Sequence, residues 1–263
     1  MEGLRELLLF YRDAGVDAAL DEHPADRFVS PAPAAAPRVA KPAPEPAPAA
    51  AAPLLAVPDD GQAARARGLA ASAATLDELR RIMESFDGCN LKFTASRLVF
   101  GDGNPEAPLM VIGEAPGADE DRQGEPFVGR AGKLLDQMLR AMGWPREQVY
   151  IGNLLKCRPP NNRDPQLDEV AACEPYLHRQ IELVRPDLLL VLGRVAAQNL
   201  LKTELPIGKL RGQVHRYGPL QTPLVVTYHP AYLLRSPREK ARAWADLKRA
   251  RALLADGAAR TGS

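Results

Sequence analysis

The chain has 263 residues, 46% hydrophobic and 25% charged, with a net charge of +1, enough for one sizeable core plus extra segments. No apolar run approaches the roughly 18 residues of a membrane span, the longest compact one being LLLVLG at 188–193, so no membrane partner is expected. Three cysteines, Cys89, Cys157 and Cys173, are too few and odd in number for a disulfide framework, which leaves buried thiols or metal ligands.

The charge is unevenly spread. Residues 1–60 hold five Lys/Arg against ten Asp/Glu, and the remainder 29 against 23, a mildly basic body that permits a polyanionic partner. The opening MEGLRELLLFYRDAGVDAAL carries acids where a signal peptide would be basic, so a mature cytoplasmic segment is expected. Within it Leu4, Leu7, Leu8 and Tyr11, then Val16, Ala19 and Leu20, fall at helical spacing over residues 3–20. This short amphipathic helix either docks on the body or on another protein, or is a loosely packed terminus. From Ser30 to Pro58 the composition is almost wholly proline and alanine, which favours an extended tether over a core. The expected organisation is a helical segment at 1–28, a linker at 29–63, one domain at 64–258 and a disordered tail at 259–263.

A helix is predicted to begin near Ser72, with Thr75 and Glu78 spaced as a capping box ahead of Leu76, Leu79 and Ile82. Strand and helix patterns then alternate: LMVIG at 109–113, a helix over 130–142, VYIGNLL at 149–155, a helix over 167–184, LLLVLG at 188–193, a helix over 194–202, PLVVTYHP at 223–230 and a helix from Pro237. Short apolar strands separated by helices mean a parallel sheet covered on both faces, whose ligands collect at the carboxyl ends of the strands. Glu114, Asn153, Gly193 with Arg194, and His229 all stand at those ends.

The loop GEAPGADEDRQGEPFVGRAG at 113–132 is glycine-rich yet led by Glu114 and four further carboxylates, and it has no lysine, so it is not a phosphate cradle. Glu114 is either a solvated loop acid or a group placed for chemistry. Asn153 is a satisfied core amide or, with a donor and an acceptor side by side, a reader of a pyrimidine edge. Phe127 sits in a polar loop, as a core anchor or as a platform on which a base stacks. His229 ends an apolar strand in YHPAYLLRSPR. Leu233 and Leu234 there read as a short loop between His229 and a helix capped by Ser236 and Pro237. Apolar tips beside Arg235 and Arg238 suit insertion into a nucleic-acid groove, and the plainer reading is a capped helix start with packed leucines.

Taken in order, GEAPGADEDRQGEPFVGRAGKLLDQML, VYIGNLLKCRPPNNRDP, DLLLVLG and HPAYLLR resemble the family 4 uracil-DNA glycosylases over about residues 86–250. The resemblance implies a three-layer α/β/α sandwich around a central parallel sheet, and an enzyme that flips uracil out of DNA and hydrolyses its N-glycosidic bond. It makes Glu114 and His229 the catalytic pair and Gly113, Phe127, Asn153 and His229 the uracil-binding group. Arg158, Arg163, Leu233, Leu234 and Arg235 are the expected DNA contacts, although Arg158 and Arg163 also suit a plain turn. The partner expected is uracil-containing DNA in the bacterial nucleoid, met by a monomer whose N-terminal helix could recruit another protein. With no lysine in the pocket motifs to form a Schiff base, the enzyme is expected to be monofunctional. A non-catalytic DNA- or nucleotide-binding module of the same fold is the alternative.

The resemblance also implies a [4Fe-4S] cluster on four cysteines. Cys157 and Cys173 match two of them and Cys89 a third, but Phe86 in ESFDGC stands where the fourth is expected. A cluster held by three cysteines is expected, with Asp87 a candidate fourth ligand, the other readings being an exchangeable iron, an empty site or three buried thiols.

Overall fold

The computed structural model describes residues 60–261; the expected N-terminal helix and nearly all of the tether lie outside them. The first described helix, α1 (Asp60–Ser72), crosses the boundary expected at residue 64. Its buried positions are Ala66 and Ala70, followed by Ala73, so its inward stripe is made of alanines that give little periodic signal. It packs against α5 (Leu167–Val184), and Arg179 of α5 donates from Nε and Nη2 to Ala73 O at 2.9 and 2.7 Å, occupying a carbonyl at the helix end. Helix α2 (Leu76–Ser85) starts with the expected cap: Thr75 Oγ1 accepts from Glu78 N at 3.2 Å and Glu78 Oε2 from Ala74 N at 2.7 Å.

Six strands form one sheet: β1 (Asp102–Gly103), β2 (Leu109–Gly113), β3 (Tyr150–Asn153), β4 (Leu188–Leu192), β5 (Val214–Tyr217) and β6 (Thr222–Thr227), in the order β1-β3-β2-β4-β6-β5. The four inner strands are parallel, as their apolar runs predict, and both edge strands are antiparallel. The two edges were not foreseen because β1 has only two residues and β5 is largely exposed, so neither shows an apolar run. Strand β3 is shorter than the expected 149–155, although Leu154 N and Leu155 N still donate to Gly113 O and Glu114 O at 2.9 Å.

Alternation along the strands divides the core into two layers. Val111, Leu188, Leu190 and Val225 pack with Leu135 and Leu139 of α4 (Arg130–Met142) and Leu247 and Leu254 of α9 (Lys240–Thr261). Met110, Ile112, Leu189, Val191 and Val226 face the other way, onto α1, α2, α5, α6 (Arg194–Leu201) and the short α7 (Ile207–Leu210). This is a three-layer sandwich. Among the described residues no helix is long and apolar enough to cross a membrane.

One buried polar group stands out in the second layer. Lys156, with no exposed surface, donates to Gln180 Oε1 at 2.5 Å, while Gln180 Nε2 donates to Phe100 O and Tyr150 Oη. Burial pulls the amine down from 10.5 to about 7. Between those values the unfolded chain holds a proton that the folded one has released, so stability rises with pH above 7. The urea midpoint is therefore expected to increase from pH 7 to pH 9, and Lys156→Met should flatten that slope.

Candidate active site

At the carboxyl edge of the sheet, register brings the predicted groups together. Gly113 pairs with Asn153 across β2 and β3, Leu192 pairs with Thr227 across β4 and β6, and Gly193 N donates to Thr227 O at 2.9 Å. A cleft of about 400 Å³ opens there, lined by Glu114, Pro116, Gly117, Glu120, Phe127, Asn153, Asn162, Arg163, His229, Tyr232 and Arg235 among others.

The acidic loop has a structural logic. Glu120, on helix α3 (Ala118–Gln123), accepts Val128 N and Gly129 N at Oε1, both at 3.0 Å, and Gly117 N at Oε2 at 3.1 Å. Asp121, buried, accepts Ser96 N at 2.8 Å, and Asp119 pairs with Arg122. Carboxylates here stand in for backbone partners that an irregular loop lacks. The held segment carries Phe127 at φ 56°, a left-handed conformation that a bulky residue rarely adopts. Arg146 fastens it from the other side, donating to Pro126 O at 2.7 Å while its Nε and Nη2 meet Asp102 Oδ2 at 3.0 and 2.8 Å. Gly132 is required beneath, since a Cβ there would lie 1.7 Å from Phe127 O.

The Phe127 ring lies against Gly113 and Asn153: a Cβ at Gly113 would come within 2.4 Å of Asn153 Oδ1 and 2.6 Å of the ring. Asn153 is 2% exposed, and its buried Oδ1 has no hydrogen-bond partner among the described residues. Leaving such an acceptor empty costs about 1–3 kcal/mol. The His229 ring stands 5.6 Å from that of Phe127. Its Nδ1 accepts from Ala231 N at 3.2 Å, and burial, helped by the Arg235 charge, lowers its pKa to about 4. The ring is therefore neutral at pH 7 and carries its proton on Nε2, which makes that atom a donor. Gly193, at φ 94°, lies against it, with room of only 3.1 Å between a Cβ and His229 Cβ.

Glu114 is half-buried, and burial raises its pKa to about 7; the Asp164 charge adds to this and Arg194 opposes it. Those two neighbours pair with each other, Arg194 Nη2 to Asp164 Oδ2 at 2.9 Å.

The expected DNA contacts divide. Leu233 and Leu234 lie on a short helix, α8 (Pro230–Arg235), and not in a loop. Leu233 is 1% exposed and packs with Tyr228 and Ala243, so it is a core residue and not a free tip, whereas Leu234 is 38% exposed and Arg235 lies on the rim of the cleft. Arg163 lines the cleft but is forked onto the buried carboxylate of Glu169. Arg158 lies outside the lining, its Nε donating to Asn162 Oδ1 at 2.8 Å. Sequence reasoning missed Glu120, Arg146 and Tyr232. Only Glu120 had a local signal, a carboxylate three residues into a helix that opens at Gly117.

The three cysteines belong to the large buried group of the second core layer and none of them lines the cleft; Cys173 Sγ is 3.9 Å from Cys89 Sγ. Burial pushes the Cys157 thiol up to about 12, and the Cys173 contact pushes Cys89 up as well. Asp87 faces outward and pairs with Arg65 at 3.0 Å, and Phe86 is 3% exposed inside the group. Among the described residues no three His, Cys, Asp or Glu side chains stand in an arrangement that could hold a metal ion. The donor set thus falls short of the four ligands a [4Fe-4S] cluster normally takes.

Residues 100–248 match the family model of the uracil DNA glycosylase superfamily. The type-4 uracil-DNA glycosylase of Archaeoglobus fulgidus is 46% identical over 182 residues, covering 66% of this chain and 91% of that protein. Those of Sulfurisphaera tokodaii and Thermotoga maritima are 42% identical over 188 residues and 40% over 174, covering 68% and 64% of this chain and 86% and 90% of theirs. With four parallel strands converging on this cleft and a match of that extent, the chain belongs to the uracil-DNA glycosylase superfamily, with the type-4 enzymes.

Proposed function

We propose that this protein is a monofunctional DNA-repair glycosylase that extrudes uracil from DNA and hydrolyses its N-glycosidic bond, leaving an abasic site. The observation that carries the reading is the empty, buried Oδ1 of Asn153 beside the Phe127 ring. A flipped uracil supplies the missing donor at N3–H and accepts at O4 from the same amide, while Phe127 covers one face. Cytosine presents an acceptor at N3, facing Oδ1 with the wrong sign.

The electrostatics fit bond cleavage. As the glycosidic bond lengthens, the sugar becomes cationic and the base anionic. A neutral His229 with its proton on Nε2 donates to the departing base at O2 without having to give the proton up. Glu114 stabilises the sugar cation or orients the attacking water, and both tasks need its ionised form. Arg235 and Leu234 serve the DNA, the first at phosphate and the second in the space the base leaves. No step is assigned to the cysteines, which do not line the cleft. On this reading the protein acts as a monomer on cytoplasmic, nucleoid DNA, and its affinity falls as salt rises.

Excision assays on single- and double-stranded uracil oligonucleotides test the whole reading; a protein that binds them without releasing uracil refutes it. Because Glu114 must be ionised, kcat/KM is expected to rise with pH through about 7. Glu114→Gln should remove that rise and lower turnover about 10²–10⁴-fold while DNA binding survives. Asn153→Asp cannot donate to O4 and should lose about tenfold or more of its preference for uracil over cytosine, measured on paired oligonucleotides. Leu234→Ala should slow excision from duplex more than from single strands, whereas Leu233→Ala should cost about 2–5 kcal/mol of stability, read from urea unfolding.

A further inference from the structure

We infer that in this chain the side chain of Phe86 fills the place of a cluster ligand, and that the domain folds and acts without iron. Phe86 closes helix α2 in an extended conformation, φ −72° and ψ 125°, and its ring turns inward. There it lies 5.3 Å from the Tyr176 ring, in the same buried group as Cys89, Cys157 and Cys173, with the Arg65 guanidinium 5.8 Å from its centroid. Lys92 Nζ donates to Phe86 O at 2.9 Å and to Glu84 O at 2.6 Å, holding the backbone that carries the ring.

The neighbouring sequence accommodates the ring. A Cβ at Gly88 would lie 2.4 Å from Phe86 Cζ and 2.4 Å from Gln62 Oε1, so the chain passes between the ring and α1 only because residue 88 is glycine. Helix α1 supplies both Gln62 and Arg65 at this contact, and Arg65 also draws Asp87 outward, 61% exposed, away from the thiols. The two nearest thiols touch each other at 3.9 Å. Aromatic packing and a committed carboxylate favour an apolar seal over a four-ligand cluster site.

The full chain, purified without air, is to be assayed for iron, acid-labile sulfide and visible absorption, before and after reconstitution with ferrous iron and sulfide. The expected result is a colourless protein with neither element, whose thermal midpoint and uracil excision are unchanged by an iron chelator. About four irons and four sulfides per chain, or a chelator-induced fall in the thermal midpoint, would overturn the inference. Phe86→Cys, reconstituted in parallel, should gain iron, sulfide and a visible band. If that variant stays colourless while circular dichroism shows it folded, Phe86 is not the residue that keeps a cluster out.

Discussion

The working end of the molecule depends on a side chain that is not there. At Gly113, the last residue of β2, the parallel register sets the backbone beside Asn153, and the Phe127 ring closes over the same point. Any Cβ would force the amide and the ring apart. The absence of one lets a polar amide and an apolar ring share a single small space, and among the described residues it leaves Asn153 Oδ1 without a partner. Buried acceptors are ordinarily paired, which sets this one apart.

Around that point the charges are arranged by task. Glu120 and Asp121 bind backbone amides and so shape the loop, whereas Glu114 accepts no amide among the described residues and burial raises its pKa. Across the cleft, His229 is neutral, because its Nδ1 is taken by a backbone N–H and its ring is desolvated. One group that becomes anionic near neutrality and one fixed neutral donor suit the proposed reaction, in which opposite charges develop at the two ends of one breaking bond.

Outside the cleft lining, the second core layer works by packing. Small alanines let α1 lie close on α5, and this brings Arg65 and Gln62 over Phe86 and Gly88. Residues remote in sequence thus meet at one contact, on the same core layer that holds the cysteines. Lys156, next in the chain to Cys157, is wholly buried on a hydrogen bond to Gln180, so that region combines an apolar lid with a costly polar interior.

Much of the architecture was legible in one dimension because it rests on local periodicity. The runs LMVIG and LLLVLG, the helices over 130–142 and 167–184 and the Thr75 cap all follow from spacing and residue type, as does the placing of Glu114, Asn153 and His229 at strand ends. Helix α1 and strands β1 and β5 were not legible, since alanines, a two-residue strand and an exposed edge leave no apolar signature. The identities of Leu233 and Leu234 are the same, and only packing against Tyr228 and Ala243 buries one and exposes the other. Likewise no local rule could set the protonation of Glu114 and His229 or the pairing of Arg163 with Glu169. Those depend on distance and desolvation between segments remote in sequence, which exist only once the sheet has brought its strand ends together.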